Sequence, residues 1–225
     1  MISLQNVSKS YSNKPVLTNI SFYVKDGEFV SIIGHSGAGK TTLINAIIGA
    51  IFIDNGNIIV NKAVVNKLSN SEIQKYRQNI GIIFQDYKLL PKKTVFENIS
   101  FALELQGYSQ SYIHKKTVEV MRTVGIENLR NNFPVELSGG EKQKTAIARA
   151  IIHSPKLLIA DEPTGNLDPK TAISLANLFL EINKGGTTVI LSTHDNHIVD
   201  TIKKRVIVLN NGQIISDEKN GLYKF

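Results

Sequence analysis

The chain reads as an α/β protein: a mostly parallel sheet core around a phosphate-binding loop, an antiparallel β part at the N-terminus, and a helical block inserted in the core. Three observations carry this. Gly34-His35-Ser36-Gly37-Ala38-Gly39-Lys40-Thr41 satisfies every fixed position of G-x-x-x-x-G-K-[ST]. Apolar runs at 28–33, 80–84, 156–160 and 187–192 have the length and continuity of strands buried on both faces. Between the second and third of these runs the apolar spacing becomes helical.

Residues 2–7 and 16–24 alternate apolar and polar side chains across a polar turn at Asn13-Lys14-Pro15, which predicts antiparallel strands. The run 28–33 then leads into the glycine-rich loop, and 42–48 reads as a helix ending at Gly49. Glycines let successive backbone N–H groups point at one anion, and the helix N-terminus adds partial positive charge. Lys40 brings a full charge to the β- and γ-phosphates, and the Thr41 hydroxyl is the natural ligand for a magnesium ion bridging them. Tyr11, just upstream, suits either half-buried packing or stacking on adenine.

Asp54-Asn55-Gly56-Asn57 is a turn before a short strand, 58–60. The run 80–84 ends at Gln85, which stands where α/β sheets bind ligands; a surface amide is the plain alternative. From Thr94 to Gly125 the period is helical, with Val95, Ile99, Ala102, Leu103 and Leu105 on one stripe and Val118, Met121 and Val124 on another. Gly107 and Gly125 punctuate them.

Leu137-Ser138-Gly139-Gly140-Glu141 opens a helix over about 141–152, with Ser138 as N-cap. Its two glycines offer N–H groups for a second anion, or simply form a helix-entry turn. The run 156–160 ends in Asp161-Glu162, and an acid at the tip of a buried strand needs a cation. Magnesium fits: Asp161 would hold it through its water shell, while Glu162 would orient or deprotonate an attacking water. The bland alternative is a strand-end turn with capping carboxylates.

Asp168-Pro169 caps a helix carrying Ala172, Leu175, Ala176, Phe179 and Ile182 on its buried face and ended by Gly185-Gly186. The run 187–192 leads to Thr193-His194-Asp195, which puts His194 on the same sheet edge as Gln85, Asp161 and the loop. The segment 206–209, an Asn211-Gly212 turn and 213–216 read as a closing hairpin.

At 225 residues and 42 % hydrophobic content, one sizeable core is expected. The absence of cysteine excludes disulfides, thiolate zinc sites and cysteine nucleophiles. No apolar run approaches the roughly 18 residues that span a bilayer, and the first residues lack a charged and apolar leader, so a cytosolic chain is expected unless a partner holds it at a membrane. The formal charge of +7 suits nucleic acid or an anionic surface, yet no block of like charges occurs and no nucleic-acid partner is expected.

The phosphate loop, Gln85, Leu137-Ser138-Gly139-Gly140, Leu158-Ile159-Ala160-Asp161-Glu162, Asp168 and His194 stand in the order of the ATP-binding-cassette (ABC) ATPases. Nearly the whole chain resembles that family, and the Leu-Ser-Gly-Gly motif separates it from other phosphate-loop proteins. The stretch from Ala160 to Asp168, Glu162-Pro163-Thr164-Gly165-Asn166-Leu167 included, is similar to the branch of lipoprotein-release, macrolide-efflux and cell-division ATPases. His35, Phe84-Gln85-Asp86-Tyr87-Lys88-Leu89-Leu90-Pro91, Thr94-Val95-Phe96-Glu97-Asn98 and Asn132-Phe133-Pro134 resemble the cell-division family FtsE, as does the tail Lys203-Lys204-Arg205-Val206-Ile207 with Gly212 and Asp217-Glu218.

The resemblance implies a RecA-like mixed sheet core at 1–86 and 156–225 within one domain, 1–225, and a helical signature subdomain at about 87–155. It implies ATP and Mg2+ as cofactors. Tyr11 would stack on adenine, and Gly34, His35, Ser36, Gly37, Ala38, Gly39, Lys40, Thr41 and Thr42 would hold the phosphates. Thr41 and Gln85 would ligate the metal, with Asp161 supporting its water shell. Glu162 would be the general base and His194 would contact the γ-phosphate. Ser138, Gly139 and Gly140 would close over the γ-phosphate held by a second copy of the chain, with Asp168 linking the two sites. The implied protein is a homodimeric ATPase at the cytoplasmic face of the inner membrane, held by a partner resembling FtsX and regulating cell-wall hydrolysis. The pump motors of the same branch are the alternative; a nucleic-acid ATPase would need long insertions or tandem cassettes, and a small-molecule kinase would leave Leu137 to Gly140 idle. Two departures stand out: Lys144 in place of an Arg, which loses the planar fork, and Ile53 where proline is common.

Overall fold

Alternation in the first two dozen residues becomes a hairpin of β1 (Ile2–Tyr11) and β2 (Lys14–Val24), in which Ile2 faces Val24 and Leu4 faces Phe22. On its other edge β1 pairs with β4 (Asn55–Val60), and β4 with the two-residue β5 (Ala63–Val64), giving an antiparallel sheet ordered β2-β1-β4-β5. The computed structural model describes residues 1–165, 167–219 and 221; Asn166 of the quoted motif and residues 220 and 222–225, at the end of the expected domain, lie outside the described residues.

The continuous apolar runs build a second sheet from β3 (Phe29–Ile33), β6 (Gly81–Ile83), β7 (Leu157–Asp161), β8 (Thr188–Thr193), β9 (Arg205–Asn210) and β10 (Gln213–Glu218). Its order is β10-β9-β3-β8-β7-β6; β10 runs antiparallel to β9 and the other neighbours are parallel. Every residue of β3, β7 and β8 is buried, which explains runs without alternation.

Seven α-helices surround the sheets among the described residues: α1 (Lys40–Ile47), α2 (Asn70–Gln78), α3 (Val95–Leu105), α4 (Gln110–Val124), α5 (Gly139–Ile151), α6 (Pro169–Lys184) and α7 (Asn196–Ile202). Successive strand residues serve opposite cores. Val30, Ile32, Leu157, Ile159 and Ile190 pack with α1 and the antiparallel sheet, whereas Phe29, Leu158, Ala160, Val189 and Leu191 pack with α3 to α6. Phe179 of α6 is wholly buried in the second core. Phe179→Ala is expected to cost about 3–5 kcal/mol in denaturant unfolding; a loss under about 1 kcal/mol would contradict this placement.

Several boundaries differ from the sequence reading. Helix α1 starts at Lys40 rather than 42, because Gly39 at φ 104 turns the chain straight into the first turn with no side-chain cap. Helix α5 starts at Gly139 rather than 141, set by a capping box between Ser138 and Glu141. The expected turn at Asn55-Gly56 is the start of β4, with Asn55 opposite Ser8. Helix α2 was not anticipated; it fully buries no residue, and only Ile73 and Tyr76 pack partly buried against the core, too little for an apolar stripe. Only its capping box of Ser69 and Glu72 signals it in the sequence. The seven-residue α7, capped by Asp195, was too short for a periodic signal.

Candidate active site

Because β3, β8, β7 and β6 are parallel neighbours, their carboxyl ends bring four separate segments to one edge. A cavity of about 430 Å³ opens there. Ser36, Gly37, Gly39, Lys40, Thr41 and Thr42 line one side, Gln85, Glu162 and His194 the other, and Val16 of β2 closes one end.

Lys40 is buried and curls back over its own loop, donating from Nζ to the carbonyls of Gly34 at 2.7 Å and His35 at 3.2 Å. A third contact, 3.2 Å to Glu162 Oε1, makes an ion pair across the cavity. The N-terminus of α1 carries no acidic residue in its first turn, so its N–H groups and dipole face the cavity uncompensated.

The two neighbouring acids diverge. Asp161 is the last residue of β7, buried, and accepts a short hydrogen bond from the Ser192 hydroxyl. Glu162 lies at φ 47, in the left-handed region, a conformation that costs about 1–3 kcal/mol for a non-glycine residue. Backbone bonds hold it there: its N–H donates to the Ser192 carbonyl at 3.0 Å and reaches the Ser192 hydroxyl at 3.3 Å. That turn sends the Glu162 carboxylate into the cavity, where Oε2 lies 2.7 Å from His194 Nδ1. Among the described residues no basic side chain pairs with Asp161. A buried carboxylate facing only a hydroxyl suits a cation partner, and the oxygens of Thr41, Gln85 and Asp161 are the hard donors that magnesium selects.

Other expected site residues lie elsewhere. Tyr11 does not line the cavity; it is exposed, and the Lys9 ammonium lies 5.3 Å from its ring centroid. Ser138, Gly139 and Gly140 begin α5 outside the cavity. Glu141 takes the Ser138 N–H at 2.8 Å and hydroxyl at 2.7 Å, and these bonds hold its carboxyl below the usual range. Ser138 is thus the N-cap expected, and its own N–H is engaged by Glu141. Asp168 caps α6 by accepting from the Thr171 hydroxyl at 2.5 Å and N–H at 3.1 Å, which lowers its pKa. The starts of α5 and α6 meet, since a Cβ on Gly140 would sit 2.9 Å from Thr171 Cγ2. Sequence reasoning missed Ser192, the hydroxyl that links both acids; its only signal is a polar residue inside an apolar strand just before His194.

The family described as ABC transporter matches residues 17–165. The chain belongs to this family. The cassette is an ATP-binding ATPase. It is 46 % identical to the cell division ATP-binding protein FtsE of Mycobacterium tuberculosis, over 99 % of this chain and 98 % of that one. Against the methionine import ATP-binding protein MetN of Clostridioides difficile it is 41 % identical over 96 % of this chain and 67 % of that protein. Its structure matches a dimeric post-hydrolysis state of the ATP-binding cassette MJ0796 bound to ADP and Pi, with a TM-score of 0.91, 33 % identity, and coverage of 99 % of this chain and 100 % of the other.

Proposed function

We propose that this cassette is the ATP-driven subunit of a cell-division membrane complex. Two copies close around ATP, and closure is passed to an integral membrane partner resembling FtsX that regulates cell-wall hydrolysis. The observation that carries the catalytic reading is the Glu162 carboxylate held between Lys40 and His194 at the cavity wall. Full-length similarity to cell-division relatives supports the cellular role.

In this reading the backbone N–H groups of 34–39 and the side chains of Lys40 and Thr42 bind the phosphates. The adenine rests toward the hairpin, where Val16 lines the cavity and Tyr11 is exposed. Thr41 and Gln85 would hold Mg2+ and Asp161 would support its water shell, and the metal would offset phosphate charge as it develops. Glu162 accepts the proton of the attacking water, and His194, bonded to Glu162, orients that water against the γ-phosphate. Ser138, Gly139, Gly140 and Asp168 lie outside their own chain's cavity, which supports a site completed by the second copy. The segment 87–155 serves as the helical signature unit.

The membrane partner has a candidate seat. Phe84, Leu90, Phe101 and Leu105 line an apolar groove of about 380 Å³ between β6, α3 and α5. Arg77, Lys88 and Arg149 also line it and no carboxylate does, so it suits an apolar segment with acidic flanks from the partner's cytoplasmic side. No helix among the described residues is long and apolar enough to cross a membrane; in this reading the partner holds the chain at the cytoplasmic face.

The test is capture of tagged Glu162→Gln from its own cell membranes with Mg-ATP, followed by identification of the integral membrane protein that co-purifies. A small four-helix protein tied to wall hydrolases is expected. A lipoprotein-release or efflux permease in its place would replace the division reading with the pump motor of the same branch.

A further inference from the structure

The connection that leaves β6 through Gln85 bends sharply before reaching α3. Two successive residues, Tyr87 at φ 60 and Lys88 at φ 48, lie in the left-handed region. Neither is a glycine, so this bend persists only where neighbouring groups hold it. Arg149, in the last turn of α5, supplies such a hold across the fold. Its guanidinium donates from Nη2 to the Tyr87 carbonyl at 2.8 Å and from Nη1 to the Lys88 carbonyl at 2.7 Å.

No carboxylate among the described residues pairs with Arg149. Burial pushes its pKa below the ordinary guanidinium value. A half-buried cation with no carboxylate partner is costly to place, and a planar fork meets the two adjacent carbonyls at once. The far end of the same segment is strapped separately. The buried Asn98 of α3 accepts from the Leu90 N–H at 2.7 Å and donates to the carbonyls of Leu90, Lys93 and Thr94 at 3.1, 2.9 and 2.9 Å. Residues 87–94 are thus tied to α3 and α5 at both ends, while Gln85 at their head lines the ATP cavity.

We infer that Arg149 is a positioning residue for Gln85: its fork fixes the bend, sets the Gln85 amide at the cavity wall, and links that amide to the helix that begins at Ser138-Gly139-Gly140. Any movement of Gln85 toward bound nucleotide then reaches α5 through two hydrogen bonds and a short stretch of backbone. The inference rests on Gln85 serving the nucleotide site, and the experiment separates the two.

Full-length Arg149→Lys, Arg149→Ala, Gln85→Ala and the double variant Gln85→Ala/Arg149→Ala are compared by thermal unfolding, by ATP affinity with and without Mg2+, and by hydrolysis. Arg149→Lys is expected to unfold near the parent's temperature and to bind Mg-free ATP normally. It loses about tenfold or more in kcat, and the gain in ATP affinity on adding Mg2+ shrinks, as a misplaced ligand requires. Added guanidinium ion restores part of the loss in Arg149→Ala. The double variant is no worse than Gln85→Ala, because Arg149 acts only through the Gln85 amide that is already gone. Additive losses in the double variant, or an Arg149→Lys chain with parental kcat and parental Mg2+ response, overturn the role of Arg149. A Gln85→Ala chain with parental values overturns the reading of Gln85 and the inference with it. If Arg149→Ala does not fold, Arg149→Lys alone decides.

Discussion

Lys40→Ala abolishes measurable ATP binding in a calorimetric titration. Lys40 is the one side-chain cation inside the loop, and its ammonium is already directed at the cavity by the carbonyls of Gly34 and His35. Removing it deletes charge-assisted bonds to phosphate, worth about 1.5–3 kcal/mol each. It also leaves Glu162 without the cation 3.2 Å away, so a buried carboxylate then opposes the phosphates. The two effects act in the same direction, and a loss of at least about a hundredfold in affinity follows. Near-parental affinity would overturn the phosphate-loop assignment.

Glu162→Gln keeps ATP and stops turnover. The amide is nearly isosteric, so the left-handed backbone at this position and its bonds to Ser192 are undisturbed. What disappears is the carboxylate that accepts a proton, and kcat is expected to fall by roughly 10²–10⁴-fold. Loss of the negative charge also releases Lys40 toward the phosphates, so ATP affinity is retained or rises. The ATP-bound pair of chains accumulates and is read by light scattering at saturating Mg-ATP. Parental hydrolysis would remove Glu162 from the base role. Binding without dimerisation would remove the shared site instead.

Much of this site can be read along the chain because its signals are local. The phosphate loop, Gln85, Asp161-Glu162 and His194 each stand at the end of an apolar run of strand length, and a strand's carboxyl end is where a parallel sheet presents ligands. The helices legible by period are those with a buried stripe, such as α6 with Leu175, Ala176 and Phe179. Helix α2 was illegible because it fully buries no residue, yet Tyr76 and Arg77 from it hold the carbonyls at and just after the end of α1, at Ile47 O, Ile48 O and Gly49 O. Tyr11, read along the chain as half-buried packing or a stacking partner for adenine, stands exposed beside Lys9 in the folded chain.

The sequence by itself determined the sheet-and-loop architecture, the phosphate-loop motif and the membership in the ABC transporter family, since glycine spacing, apolar period and motif order are properties of neighbouring residues. Only the tertiary structure decided how those parts face one another. The order β3-β8-β7-β6 brings Gln85 and His194 to opposite sides of Glu162's strand. Ser192, thirty-one positions from Asp161 and thirty from Glu162, separates two adjacent acids by bonding both. Arg149, more than sixty positions from Tyr87, holds the bend after Gln85. Such partners are chosen by packing across the whole sheet, where one hydroxyl or guanidinium is placed by what surrounds it in space, and no local pattern in the chain records that choice.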